Sequence, residues 1–192
     1  MGKHTEKTEY TLIRSGRRSI GLEVTPEGGL IVRAPRFASK AQIEKLLRDK
    51  ADWIAGAQAR AAERAEAAAE AGPLTPEDLQ ALAQQAKAVL PGRVAYYAAA
   101  LGVDYGRITI RAQRTRWGSC SARGDLNFNC LLMLTPPEIV DSVVAHELCH
   151  RKHMDHSPAF YAELQRVCPD YAACRAWLKR NGPVLLARVS SE

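Results

Sequence analysis

One predicted helix constrains the fold of this chain most strongly, because it is apolar and yet carries the sequence H-E-L-C-H at residues 146–150. Its start signals do not depend on that motif: Thr135 is a candidate N-cap, Pro136 suits the first helical position, and Glu138 completes a capping box. The apolar positions that follow are Ile139, Val140, Val143, Val144 and Leu148. The pattern predicts a helix buried in a core, where histidines and a glutamate are costly unless they have partners.

The spacing inside the motif indicates a metal site. His146 and His150 are four residues apart, so they lie one above the other on a single helix face. Both imidazoles can then reach one ion at about 2.0–2.1 Å, the length of a zinc–nitrogen bond. Glu147 projects beside that position, where it can take a proton from a metal-bound water. The neighbouring Cys149 is interpreted as a small apolar packing residue.

A third ligand must come from outside the motif, and two histidines are available. If the helix continued, His153 would lie about 10 Å from His146 along the axis, at about 1.5 Å per residue. His156 stands directly before a predicted helix start at Ser157-Pro158, so a turn of the chain can bring it back over the metal. We select His156 as the third ligand and keep His153 as the weaker alternative.

The sequence does not decide which residues orient the ligand histidines or stabilise an oxyanion. Asp141 or Asp155 could orient a ligand histidine, although an aspartate before a helix start is more often a turn residue. Four residues have side chains that could donate a hydrogen bond to an oxyanion: Tyr161, Tyr171, Arg116 and Asn129. Their positions in the sequence do not favour any one of them.

Composition excludes several classes of protein. Of the 192 residues, 46% are hydrophobic and 25% charged, which is ordinary for a folded chain. The five cysteines form no C-x-x-C pair, so neither a disulfide framework nor a cysteine-rich zinc finger is expected. The start of the chain is polar and no apolar run is long enough to cross a bilayer, which predicts a soluble, cytoplasmic protein without membrane contact.

The remaining patterns predict an α+β chain. We expect strands and an Ala-rich helix over 1–72, a catalytic core over 73–185, and a tail over 186–192. The first strand begins at Tyr10 and turns at Ser15-Gly16, and a hairpin follows around residues 26–29. Helices are expected from the caps Ser39, Thr75 and Ser157, with a break or kink at Pro91-Gly92 and the last helix ending near 181–183. We further expect strands over 107–111 and 126–134, with a loop over 116–120.

Five short motifs, taken together, resemble the YgjP-like metal-dependent hydrolases, a zincin-like group related to the SprT and WLM-type metallopeptidases. They are W-G-S-C-S at 117–121, G-D-L-N-F-N at 124–129, H-E-L-C-H at 146–150, D-H-S-P-A-F at 155–160 and P-D-Y at 169–171. The resemblance extends from about residue 10 to residue 182. It implies a zincin-like α+β core, with His146, His150 and His156 as zinc ligands and Glu147 as the catalytic residue. The chain departs from the family pattern in the additional His153 and in Tyr161, where tryptophan is common.

Three functions are compatible with these features. The first is a zinc-dependent metallopeptidase acting on a peptide or protein, for which the stretch 125–134 could offer an edge strand to the substrate. The second is a UTP pyrophosphohydrolase, a name that the family also carries. The third is a nucleic-acid-associated protein with a mainly structural metal. The basic region from Arg107 to Arg123 could bind a nucleotide or nucleic acid, or could simply be a solvated surface.

Overall fold

The computed structural model describes residues 9–189, which divide into two compact units between Glu70 and Ala71. Within these residues there are two three-stranded sheets and six α-helices, so the α+β expectation is confirmed. Residues 1–8 and 190–192, which include the start of the predicted N-terminal segment and the end of the predicted tail, lie outside the described residues. The predicted domain limits at 72/73 and 185/186 stay a prediction.

The first unit is a small sheet followed by two helices. Its elements are β1 (Thr11–Ser15), β2 (Gly21–Val24), β3 (Leu30–Pro35), α1 (Lys40–Asp49) and α2 (Ala51–Ala71). Strands β2 and β3 form the expected hairpin, whose turn contains Gly28 with a φ of 84°. Ser39 caps α1 with the expected capping box, since its hydroxyl accepts from the Gln42 N–H. The core of this unit is apolar side chains from β3 and the two helices, including Val32, Ile43 and Ile54.

The position of β1 differs from the expectation of a strand that turns back at Ser15-Gly16. β1 does not pair with β2 but lies parallel to β3, which makes β3 the central strand. The Arg14 side chain supplies a physical reason, because its guanidinium donates to the carbonyl oxygens of Pro35, Arg36 and Ala38 at 2.9–3.0 Å. The carbonyls of Arg36 and Ala38 lie beyond the end of β3 and need partners from outside the sheet, while that of Pro35 also accepts from the Ala38 N–H.

The second unit contains the remaining elements. They are α3 (Pro76–Leu101), β4 (Ile108–Arg111), β5 (Gly118–Cys120), β6 (Leu126–Asn129), a 3₁₀ helix (Cys130–Leu134), α4 (Pro137–Cys149), α5 (Pro158–Val167) and α6 (Tyr171–Ala187). The strands are ordered β4-β6-β5, with β4 parallel and β5 antiparallel to β6. Nine of the 13 residues of α4 are buried, so the expected burial of this helix is confirmed.

The helix α3 runs without interruption through Pro91, where a break or kink was expected. Thr75 and Gly102 cap its two ends as predicted, with Gly102 in the left-handed conformation at a φ of 67°. Leu90 and Val94, on either side of the proline, are fully buried in the core. Packing of both turns offsets the cost of the hydrogen bond that proline removes.

Four other predictions of element type or boundary differ from the structure. The predicted strand 126–134 ends at Asn129 and continues as the 3₁₀ helix, and part of the predicted loop 116–120 is the strand β5. Helix α4 begins one residue later than predicted, with Pro136 at the N-cap, because the Thr135 hydroxyl donates to the Leu132 carbonyl instead of capping the helix. Helix α6 continues through Pro183 to Ala187.

Asn129 holds the segment before β5 in place. Its buried side-chain amide donates to the carbonyl oxygens of Gln113 at 2.6 Å and Arg116 at 2.9 Å, and its Oδ1 accepts from the Leu131 N–H at 3.1 Å. Because backbone groups on both sides depend on one side chain, Asn129 connects the end of β6 to the segment that leads into β5.

Substitution Asn129→Ala is expected to lower the free energy of unfolding by about 2–4 kcal/mol, since it leaves buried backbone groups without partners. Urea denaturation measures the change. The matched control is Asn127→Ala, because the buried Oδ1 of Asn127 has no hydrogen-bond partner among the described residues. The control should change stability by less than about 1 kcal/mol. Equal losses in the two variants would contradict the role given to Asn129.

Candidate active site

Three histidine side chains meet at the C-terminal end of α4. One ring nitrogen from each of His146, His150 and His156 lies within 4.8 Å of the other two, and the Nε2 atoms of His146 and His156 are 3.2 Å apart. Two nitrogens that share a tetrahedral zinc ion are separated by about 3.3 Å, given bonds of about 2.0–2.1 Å. The spacing therefore suits a common cation. Among the described residues, no carboxylate or thiolate belongs to this group.

The other ring nitrogens of the two helix histidines have partners. Nδ1 of His150 lies 3.1 Å from the backbone oxygen of His153, and Nδ1 of His146 lies 3.0 Å from the Tyr171 hydroxyl. A carbonyl only accepts, so the neutral His150 ring carries its proton on Nδ1 and leaves the Nε2 lone pair free for a metal. The donor set therefore fits a zinc ion, with both helix rings fixed from behind.

Phe160 forms the apolar support of the group. Its buried ring lies 5.0 Å from the His146 ring, 4.8 Å from that of His150 and 4.9 Å from that of His156, between centroids. Ser157 caps α5, with its hydroxyl accepting from the Phe160 N–H, and so fixes the turn from which His156 reaches back. One helix start thereby positions both a candidate ligand and the ring beneath all three candidates.

Burial also sets the protonation of the two helix histidines. Desolvation, followed by the charges of the other two histidines and of Arg175, lowers the pKa of His146 to about 4. Desolvation likewise lowers the pKa of His150. Both rings are therefore neutral at neutral pH, which is the form that binds a metal.

Glu147 is buried beside the histidines. Desolvation raises the pKa of its carboxyl group to about 7, and the positive charge of Arg116 opposes this rise. Strand β5 approaches it closely: a Cβ on Gly118 would lie 2.7 Å from Oε1 of Glu147 and 2.8 Å from its Cγ. Only glycine leaves room for this carboxylate, so Gly118 belongs to the surroundings of the candidate base.

The supporting residues are arranged differently from the sequence expectations. Asp141 pairs with Arg93 on α3, and Asp155 interacts with Ser157, so neither aspartate orients a histidine. The Tyr171 hydroxyl contacts His146 instead, and the backbone oxygen of residue 153 contacts His150. The ring of His153 is not part of the histidine group found among residues 9–189, so the weaker ligand alternative is not supported.

The four residues considered as oxyanion stabilisers have different surroundings in the structure. Asn129 is committed to backbone groups, and the Tyr171 hydroxyl meets His146. The exposed Tyr161 ring lies 6.3 Å from that of His156, while Arg116 acts on Glu147 through its charge. Sequence reasoning missed the roles of Tyr171, Phe160 and Gly118. All three lie within the short motifs, yet spacing alone gives no partner to any of them.

The predicted substrate strand is in the wrong place. The stretch 125–134 contains β6, which is the central strand of its sheet and has no free edge. The outer strand beside Glu147 is β5.

The five arginines of the basic region are exposed: Arg107, Arg111, Arg114, Arg116 and Arg123. Within residues 9–189, no helix is long and apolar enough to cross a membrane.

Comparison with known proteins identifies the class as metallopeptidase. The family model described as "YgjP-like, metallopeptidase domain" matches residues 18–81 and 77–181, which is most of the chain. The protein therefore belongs to the YgjP-like family, as the resemblance of its motifs indicated. No curated protein gives a significant match.

Two similar solved structures are metallopeptidase zymogens. Abylysin of Pyrococcus abyssi is 18% identical with a TM-score of 0.44, and the alignment covers 48% of this chain and 94% of abylysin. Jannalysin of Methanocaldococcus jannaschii is 20% identical with a TM-score of 0.39, covering 45% of this chain and 93% of jannalysin.

Loss of the Tyr171 hydroxyl is expected to weaken zinc binding. Tyr171→Phe removes the partner of His146 Nδ1 and should raise the zinc dissociation constant about tenfold or more, as measured by competition with a chelator. Tyr161→Phe is the control, because it keeps the ring that lies 6.3 Å from that of His156 and removes a hydroxyl that forms no hydrogen bond with a histidine among the described residues, so it should leave affinity unchanged. Unchanged affinity in Tyr171→Phe would contradict the orienting role.

Gly118→Ala is expected to displace the Glu147 carboxylate and to lower peptide turnover about tenfold to a hundredfold, while zinc content stays the same. Turnover and elemental analysis are measured on the same preparations. Gly92→Ala serves as the control, since a Cβ there meets no atom within 4 Å and the site is helical. Full turnover in Gly118→Ala would show that the close approach to Glu147 has no catalytic consequence.

Proposed function

We propose that this protein is a zinc-dependent peptidase in which His146, His150 and His156 hold the metal and Glu147 is the general base. The observation that carries the proposal is the convergence of three imidazole nitrogens within 4.8 Å beside a buried glutamate. Membership of a metallopeptidase family supports the same reaction class. Three protein ligands leave one position of a tetrahedral ion open, which favours a catalytic over a structural metal.

Each residue of the proposed site has a different role in the reaction. Bound zinc would act as a Lewis acid toward the scissile carbonyl and would lower the pKa of water. Glu147 takes the proton of the attacking water at its carboxylate and later delivers it to the leaving amine. Gly118 keeps the carboxylate accessible, while Tyr171 and the backbone oxygen of His153 hold the rings of His146 and His150. The buried Phe160 ring packs against all three histidine rings.

The substrate main chain has a natural binding position along β5. This strand is the outer strand of its sheet, and its first residue, Gly118, contacts Glu147. An extended peptide that pairs with the free edge of β5 would pass next to the base. Pairing of this kind recognises backbone groups, so it accommodates many sequences and leaves selectivity to the side chains around the site.

Hydrolysis of a nucleoside triphosphate remains the competing enzymatic hypothesis, and a structural metal in a nucleic-acid-binding protein remains the competing binding hypothesis. Both depend on the exposed arginines of the region 107–123. The sequence contains no glycine-rich phosphate loop, which weakens the nucleotide hypothesis. UTP is therefore assayed beside peptides, as a second substrate for the same preparations.

Glu147→Gln is expected to retain zinc and to lose at least about a hundredfold in peptide turnover, because the amide cannot accept the proton of water. Zinc content and cleavage of a quenched fluorescent peptide library are measured together. Turnover equal to the unmodified protein would refute the role of Glu147. Zinc-dependent release of pyrophosphate from UTP, without cleavage of any peptide, would replace the peptidase by the pyrophosphohydrolase.

His156→Ala is expected to lose or greatly weaken zinc binding, since it removes one of three ligands. His153→Ala is the matched control: it lies three residues earlier on the same loop, and its contact with His150 is made by the backbone oxygen, which alanine keeps. Elemental analysis after dialysis should give about one zinc per chain in the control and little in His156→Ala. Equal zinc in both variants would overturn the ligand assignment.

A further inference from the structure

Two exposed arginines lie next to residues of the candidate site on different elements. Arg116 stands two residues before Gly118, whose Cβ position meets Glu147, and Arg175 stands one helical turn after Tyr171, whose hydroxyl meets His146. Among the described residues, neither guanidinium forms a salt bridge, unlike Arg93, Arg151 and Arg166. Free guanidinium groups beside a reaction centre are available to an anionic group of a substrate.

Arg116 is positioned by its backbone. Its carbonyl oxygen accepts from the buried Asn129 amide at 2.9 Å, and the next carbonyl, that of Trp117, accepts from the Asn129 N–H at 2.9 Å. Two residues further on, the backbone comes so close to Glu147 that a Cβ on Gly118 would lie 2.7 Å from Oε1 of its carboxylate. The Arg116 charge consequently acts on Glu147, where it opposes the rise in pKa that desolvation causes.

Arg175 is positioned by the helix. It follows Tyr171 by four residues, so the two side chains lie on one face of α6, and Tyr171 reaches His146. Its charge acts on both His146 and Tyr171. The segment that carries Arg116 also packs against α6, because the Trp117 ring lies against Gly182, with Nε1 3.2 Å from the position of a Cβ there.

Three acidic groups on the neighbouring elements have partners elsewhere. Asp141 pairs with Arg93, Glu163 pairs with Lys152 and Arg166, and Asp155 interacts with Ser157. Among the described residues, none of these acids forms a salt bridge with Arg116 or Arg175. Both guanidinium groups are therefore open to an anionic group of a substrate.

We propose that Arg116 and Arg175 select peptides that carry a carboxylate close to the scissile bond, an inference that rests on the proposed peptidase function. A guanidinium binds a carboxylate through two parallel N–H···O bonds, which gives orientation as well as charge complementarity. The carboxylate can come from an Asp or Glu side chain or from the C-terminus of the peptide, and the two sources require separate peptides in the test.

The test measures binding without turnover. Zinc-loaded Glu147→Gln protein is titrated with fluorescein-labelled peptides in a fluorescence anisotropy assay at low and high salt. One peptide is C-terminally amidated and contains Asp residues, a second has Asn in their place, and a third is the Asn peptide with a free C-terminus. The full chain is used throughout. Arg116→Gln and Arg175→Gln are each added to the Glu147→Gln background.

Matched controls remove the same charge nearby. Arg111→Gln lies on β4, at the opposite edge of the sheet from β5, and Arg180→Gln lies on a different face of α6 from Arg175. Both side chains are exposed. A single-stranded oligonucleotide of the same net charge as the acidic peptide is titrated in parallel, because a diffuse basic surface would bind it as well.

The expected result is that a carboxylate peptide binds about tenfold more tightly than the amidated Asn peptide, and that each site arginine accounts for about three- to tenfold of the difference. The controls keep the preference. Preference for the Asp peptide identifies an acidic side chain as the source, and preference for the free C-terminus identifies a carboxypeptidase-like arrangement.

Two results would overturn the inference. One is equal affinity for all three peptides; if the unmodified protein still cleaves them, the peptidase function stands and only the selectivity is wrong. The other is an equal loss in the control variants together with tighter binding of the oligonucleotide, which would indicate a nucleic-acid surface. Failure of the unmodified protein to cleave any peptide concerns the proposed function and is read separately from the binding data.

Discussion

The burial of α4 is the constraint on which the candidate site depends. This helix packs in the centre of the second unit, yet it carries His146, Glu147 and His150. Burying such groups is unfavourable unless each has a partner. The second unit supplies partners for the two histidines: Phe160 lies beneath the rings, the Tyr171 hydroxyl behind His146, and the backbone at residue 153 behind His150. Among the described residues, Glu147 has only the charge of Arg116 to offset its burial, so its pKa is raised. A metal ion would complete the compensation by using the remaining lone pairs.

The features that the sequence predicts well are those with local causes. Caps at Ser39, Thr75 and Ser157 depend on one side chain and the next three residues, and all three occur as predicted. The convergence of His146 and His150 follows from helix periodicity in the same way. The return of His156 needed one further element, a helix start immediately after it, and the structure brings its ring to the other two.

The features that sequence reasoning missed depend on distant packing. Pro91 continues a helix because neighbours on both sides are buried, and β1 lies parallel to β3, where Arg14 donates to three carbonyl oxygens at and after the end of β3. The strand expected to bind substrate is central, because β4 and β5 pair on both of its edges. Tyr171 reaches His146 only because α6 packs against α4, and Gly118 lies beside Glu147 only because β5 does so too. Such contacts join residues that are tens of positions apart, and no local pattern specifies them.

The proposed site is a metal held by three histidines, with one position open to water and substrate. X-ray absorption at the zinc edge of the zinc-loaded full chain tests it most directly, because it reports the number and type of ligand atoms. We expect three imidazole nitrogens and one further light atom at about 2.0–2.1 Å from the zinc. A sulfur ligand at about 2.3 Å would contradict it by showing that one of the free cysteines closes the site. A spectrum without imidazole scattering would contradict it outright.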